Sequence, residues 1–302
     1  MAQIIDTQTP HAAISVKRKI TRAWSWDWLG VVPFAFFIIA FLILPSSRLI
    51  TDSFQDAKGA FTLNNFALLF EDPLILKAYS NSIQISVITS LVGGIFGFLV
   101  AYAIILGKVP GWLRSGLMTF SGIAANFGGV PLAFAFIATV GRTGFLTALL
   151  RLAGFDIYQN GFSLYSIVGL TLAYTYFQFP LMVLTIAPAL EGLRAEWREA
   201  SENLGADTFH YWKDIALPIM LPSILGTMLL LFGSAFGAFA TAQALTGGTL
   251  VLASLLIGTE IRGDTLGNPN LGYALAVGMV VIMAITISLY ALLQRRTSRW
   301  LR

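Results

Sequence analysis

Six stretches of this chain carry no charged side chain and no histidine: residues 29–45, 83–106, 117–140, 164–190, 222–248 and 271–293. All 19 basic and all 15 acidic residues lie outside them. A helix needs about 20 apolar residues to cross a bilayer, and it satisfies its own backbone where no water is present. Buried helices of a large soluble core are the competing reading, yet a soluble domain is roughly 25% charged, whereas this chain is 11% charged. A mean hydropathy of +0.76 removes disorder as well. The expected fold class is therefore all-α integral membrane, with six transmembrane helices filling a domain over 29–293.

The first stretch is preceded by a polar leader, residues 1–28, and ends Leu44-Pro45-Ser46-Ser47-Arg48. That ending lacks the small-residue pattern of a signal-peptide cleavage site, so a retained first span is expected. Basic residues are kept in cytoplasmic loops. Lys17, Arg18, Lys19 and Arg22 precede the first span, and Lys108 and Arg114 join the second to the third. Arg194, Arg198 and Lys213 join the fourth to the fifth, and Arg295, Arg296, Arg299 and Arg302 follow the last. The alternate connections carry fewer, namely Arg48, Lys58, Lys77, Arg142, Arg151 and Arg262. Both termini, including the tail 294–302, are expected in the cytoplasm, with the chain multi-pass in the membrane.

The +4 net charge is a topology signal with no bearing on nucleic acid. Trp24, Trp26, Trp28 and Trp300 flank the outermost spans, where indole rings anchor at the headgroup layer. There is no cysteine, and His11 and His210 are far apart, so neither a disulfide nor a metal cluster is expected.

Uncharged spans limit the chemistry. Proton-coupled carriers place an ionisable group inside the bundle, and an intramembrane enzyme needs a base beside its nucleophile or a metal. A sodium-coupled secondary carrier can work through carbonyls and hydroxyls at broken helices, and it remains the alternative. A phosphate loop is also missing, since Gly107-Lys108-Val109 matches only the middle of that motif. The chain is not expected to be an enzyme, and ATP-driven transport would need a partner.

One connection can receive such a partner, the loop 191–221. Leu190, Leu193, Trp197, Ala200 and Leu204 recur at helical spacing, so the fourth helix is expected to run on past the membrane as an amphipathic extension. Gly205 then fits a helix C-terminus. Asp207 or Thr208 fits the N-cap of a short second helix bearing Phe209, Trp212 and Ala216, stopped at Pro218. The loop is acidic, which disfavours anionic lipid, and Phe209, Tyr211 and Trp212 are of the type that anchors protein interfaces.

Within this loop, Glu199-Ala200-Ser201, three residues, Gly205, nine residues, Ile215-x-Leu217-Pro218 resembles the EAA loop of the membrane subunits of binding-protein-dependent ABC importers. Ser201 replaces an alanine of that pattern. The resemblance covers about the last two thirds of the chain. It implies the type I ABC importer permease (MetI-like) fold and a pathway subunit that receives substrate from an extracytoplasmic binding protein. It further implies a second permease subunit and two cytoplasmic ATPase subunits that hold ATP and Mg, with no cofactor bound by this chain, and a place in the inner membrane of a bacterial cell. Carried over, Glu199, Ala200, Ser201, Gly205, Ala206, Asp207, Phe209, Trp212, Ile215, Leu217 and Pro218 are the expected ATPase-coupling residues. Leu63-Asn-Asn-Phe66, Tyr79-Ser-Asn-Ser82 and Leu204-Gly205-Ala206 look most similar to the polyamine (spermidine/putrescine) branch, whose relatives carry sulfate, ferric iron or thiamine. Asn126, Tyr174, Tyr176, Gln178 and Gln243 are candidates to line the path, with hydrogen bonding between helices as their alternative role. Gly93-x3-Gly97 and Gly233-x3-Gly237 are candidate close contacts between helices.

Overall fold

A computed structural model describes residues 30–107, 109–262 and 267–297, and two units divide the chain at Ser47. The leader 1–28, Lys108, Trp24, Trp26, Trp28, Trp300 and the end of the tail lie outside the described residues. Unit one, residues 1–47, holds the apolar part of helix α1 (Val32–Ser53), which has a π-helical stretch over Ile39–Ile43. Phe34, Phe36, Phe37 and Phe41 of α1 are all exposed, as side chains that meet lipid would be.

Unit two is all-helical among its described residues apart from one isolated bridge between Gln55 and Phe61. Its elements are α2 (Asn64–Glu71), α3 (Pro73–Ile105), α4 (Gly111–Asn126), α5 (Gly129–Val140), α6 (Phe145–Leu152) and α7 (Ile167–Glu191). They continue with α8 (Ala195–Asn203), α9 (Thr208–Phe236), α10 (Ala240–Thr246), α11 (Ala253–Arg262) and α12 (Pro269–Thr297). Six stretches are long and apolar enough to cross a membrane, which bears out the class read from the charge pattern.

Span limits differ from the uncharged runs in instructive ways. The second span starts ten residues before Ile83 because Asp72 caps it, accepting from the Leu74 amide at 2.7 Å, and Pro73 occupies the first turn. The third run is two helices, since Phe127 and Gly128 leave the helical conformation and Gly129 restarts it. The fifth run is likewise cut, because α9 ends at Gly237 and α10 begins only at Ala240. Glycine is tolerated at such breaks where neighbouring groups satisfy the freed backbone.

Helix contact in a bilayer depends on close packing, as lipid is as apolar as leucine. Helices α3 and α7 form the main contact of the unit. A Cβ on Gly93 would stand 2.7 Å from the Gln178 Cβ, and one on Gly97 would stand 2.5 Å from the Met182 Cβ. The first glycine pair thus makes the close contact expected of it. The second pair divides, since Gly233 faces Met283 of α12 whereas Gly237 closes the end of α9.

Polar residues singled out in the sequence hold the loops at one end of the bundle. Asn65 is buried and donates to the Ser53 and Gln55 carbonyls at 3.0 and 2.9 Å. From α3, the Tyr79 hydroxyl donates to the Leu275 carbonyl, Asn81 to the Val251 carbonyl at 2.9 Å, and Ser82 accepts from the Ala253 amide at 2.9 Å.

Candidate functional site

Two places concentrate the residues of interest: the loop after α7 and the point where the third and fifth spans break. The loop departs from the expected continuous extension. Helix α7 stops at Glu191, Gly192 caps it, Leu193 bonds back in a tight turn to Leu190, and Arg194 is extended with ψ 135° before α8 begins. Glycine is costly to extend a helix through, by about 1 kcal/mol relative to alanine, and the fourth span does not run on into α8.

Past α8 the local chemistry follows the sequence. Gly205 has φ +84°, its amide bonds to the Glu202 carbonyl, and the Ala206 amide bonds to the Ser201 carbonyl at 3.0 Å. Those two bonds define a Schellman end. Asp207 then caps the next helix, accepting from the His210 amide at 2.9 Å and meeting the His210 Nδ1 at 2.8 Å. The His210 backbone N–H, and then its ring, hold the Asp207 carboxyl below the usual carboxylate range.

That next helix does not stop at Pro218. A π-helical turn over Tyr211–Ala216 passes directly into the fifth span, and Thr208–Phe236 is one helix of 29 residues. Proline lacks an N–H and its ring crowds the carbonyl four residues back; the widened turn just before Pro218 is where the ladder absorbs that misfit.

Motif residues are distributed unevenly around the loop. Ala200, Ser201, Ala206 and Ile215 line an apolar groove of about 380 Å3, together with Trp197 and Leu204. Leu204 and Phe209 are exposed, at 88% and 67%. Glu199 and Leu217 are exposed, and Pro218 is half-buried beyond the groove. Trp212 sits edge-on against Tyr102 of α3 at 5.2 Å, and Tyr211 is buried, so these two rings pack within the chain while Phe209 faces outward. Arg114 of α4 and Glu191 form an exposed ion pair at 2.7 Å beside the loop.

At the other place, the two span breaks meet. The Gly129 amide donates to the Thr241 hydroxyl at 2.9 Å, tying the start of α5 to α10. The Ala238 carbonyl, freed at the end of α9, accepts from the Tyr174 hydroxyl at 3.0 Å and from Ser254 at 3.1 Å. Between the breaks lies an open cleft of about 340 Å3 lined by Asn126, Gly128, Phe177, Ser234, Phe239 and Thr241, among others. Among the described residues, no Asp, Glu, Lys, Arg or His lines it.

The path candidates separate on this geometry. Asn126 lines the cleft, and Tyr174 holds its wall from within the core. Gln178 is fully buried between α3 and α7, donating to the Thr89 hydroxyl at 2.9 Å. Tyr176 packs edge-on against Phe136 at 5.8 Å, and Gln243 is half-buried on α10, neither of them at the cleft. Phe177, Ser234, Phe239 and Thr241 were not singled out from sequence; the signal was the paired glycines at 128–129 and Gly237, which mark the breaks themselves.

Among the described residues, then, six apolar stretches long enough to cross a membrane come with two helix breaks meeting at an uncharged cleft and a Schellman-turned loop at the start of α9, an arrangement that suits a membrane component for solutes. Residues 93–299 match the family described as "Binding-protein-dependent transport system inner membrane component", and the chain belongs to that family, as an ABC importer permease subunit. It is 28% identical over 298 residues to the spermidine/putrescine transport system permease protein PotB of Haemophilus influenzae, covering 90% of this chain and 92% of that one. It is 26% identical over 213 residues to the sulfate transport system permease protein CysT of Salmonella typhimurium, covering 70% and 72%. In fold it is similar to a chain of a bacterial ABC transporter involved in import of the acidic polysaccharide alginate, with TM-score 0.71, 18% identity, and coverage of 92% and 97%. A chain of the MetNI methionine ABC transporter matches with TM-score 0.52 at 14% identity, over 75% of this chain and 98% of that one.

Proposed function

We propose that this chain forms half of the solute pathway of an ATP-driven importer, paired with a second permease subunit. Two cytoplasmic ATPase subunits engage the loop 191–221, and an extracytoplasmic binding protein delivers solute. Both chain termini face the cytoplasm of a bacterial cell, as the distribution of Lys and Arg favours. The observation that carries this reading is the single helix α9: it starts at the Gly205–Asp207 turn and ends at the cleft. At 1.5 Å per residue it spans roughly 40 Å, so one continuous run of helix joins the loop to the cleft.

Within this reading the solute is a small organic cation of the polyamine class. Among the described residues no carboxylate lines the cleft, but the aromatic side chains of Phe177 and Phe239 do, and aromatic rings attract ammonium groups. The C-terminal ends of α4 and α9, which carry partial negative charge, also terminate there. The PotB relative is named for spermidine and putrescine, while CysT relatives are named for sulfate.

The test is uptake by the reconstituted complex. The full complex should take up putrescine only with ATP, and the purified chain alone should transport nothing; uptake by this chain alone under a sodium gradient would sink the reading. Gly205→Val should leave the complex assembled with ATP hydrolysis uncoupled from uptake, because a β-branched residue held in the left-handed region costs about 1–2 kcal/mol in the turn. Gly205→Asn, which tolerates that conformation, should retain most uptake.

A further inference from the structure

Beside the cleft lies a second, much smaller cavity. It is lined by Ser82 of α3, Tyr174 of α7, Ala238 of the link after α9 and Ser254 of α11, with buried apolar side chains such as Phe236 and Leu252 around them. About 10 Å3 of it is open to the centre of a water-sized sphere, which is room for one water. Ala238 lines both this cavity and the cleft, so the link after α9 is a wall that the two share.

The three hydroxyls at this cavity have hydrogen-bonding capacity left over, and what is left is complementary. Tyr174 and Ser254 each give their one proton to the Ala238 carbonyl, at 3.0 and 3.1 Å, which leaves their lone pairs to accept. Ser82 Oγ accepts from the Ala253 amide at 2.9 Å, and among the described residues no hydrogen bond takes its proton. The Ala238 carbonyl has two lone pairs, and both are in use. A molecule with two protons to give and a lone pair to receive completes all three hydroxyls at once. We propose that the cavity is the site of a structural water, which accepts from Ser82 Oγ and donates to Tyr174 Oη and Ser254 Oγ. Three bonds are the usual complement of a buried water. A metal cation does not suit the same place, since no carboxylate lines it and the Ala238 carbonyl already accepts from two hydroxyls. Through the water, α3 joins α7 and α11 in holding the non-helical link where the fifth span is interrupted. The site does not depend on what passes through the cleft.

The full complex, determined at a resolution that shows waters, should carry one isolated peak at about 2.6–3.2 Å from Ser82 Oγ, Tyr174 Oη and Ser254 Oγ. No peak there would overturn the site. A peak at about 2.4 Å from the oxygens is a cation's distance and would overturn it equally. Melting temperatures of the detergent-purified chain then test the bridge. Ser82→Ala also loses the Ala253 bond, so its own shift is not decisive. The decisive quantity is its coupling to Tyr174→Phe, because no direct hydrogen bond joins the two side chains and each substitution removes only a hydroxyl. Tyr174→Phe should lower the melting temperature less in the Ser82→Ala chain than in the parent, since the shared water is already lost. Equal shifts in the two backgrounds would overturn the bridge.

Discussion

Gly97 and Gly205 are both positions where a side chain is excluded, for opposite reasons. At Gly97 there is no room, since a Cβ would stand 2.5 Å from both the Met182 Cβ and the Phe179 carbonyl oxygen. At Gly205 there is open space and the constraint is torsional, φ +84°. Gly97→Ala should therefore force α3 from α7 and lower stability by about 1–3 kcal/mol, read as a lower melting temperature of the detergent-purified chain. Residues whose role depends on near neighbours were legible from sequence: the Gly205 turn and the Asp207 cap both formed as their local chemistry dictates. For Gln178 the alternative role, a hydrogen bond between helices, was legible, but its partner Thr89 was not, because no spacing rule connects residues on two helices. Phe209 and Trp212 fall on one stretch of helix, yet only the structure shows Trp212 turned inward onto Tyr102.

Among the elements, the presence of six apolar stretches was readable because a charge inside lipid is costly, although the third lies over Gly129–Leu152 and carries Arg142 and Arg151, where the uncharged run is 117–140. Their interruptions were hidden by the same rule, as Gly128 and Gly237 are uncharged and leave the runs unbroken on paper. The continuity across the loop also reversed: a glycine, Gly192, ended the fourth helix, while Pro218 failed to end the segment leading into the fifth. Helix ends depend on how neighbouring turns relax, which a residue's propensity alone does not specify. Under the proposed function, transmission then falls to α9. Inserting two glycines between Ala216 and Leu217 should abolish ATP-dependent uptake with hydrolysis retained, whereas the same insertion between Gly192 and Leu193 should be largely tolerated. Paired uptake and hydrolysis assays on the two insertions decide it, and equal losses would remove α9 from that role.

For the molecule as a whole, the polar staples from Asn65, Tyr79, Asn81 and Ser82 gather at one end of unit two, and the Gly205 loop begins the helix that leads to its cleft. The proposed orientation puts these on opposite sides of the membrane. Single cysteines check it directly in the cysteine-free background: Gln159→Cys, in the exposed loop after α6, should be labelled by an impermeant maleimide added to whole cells. Asn203→Cys, at the end of α8, should be labelled only after the membrane is opened. The reverse pattern would invert the topology. The unbroken α9 has a thermodynamic corollary. If loop and cleft share one rigid body, their equilibria are linked, and linkage is reciprocal. The factor by which nucleotide-bound ATPase alters the cleft's affinity for solute is then also the factor by which solute alters the loop's grip on the ATPase, so an empty transporter and a loaded one must differ in how tightly they hold their motor.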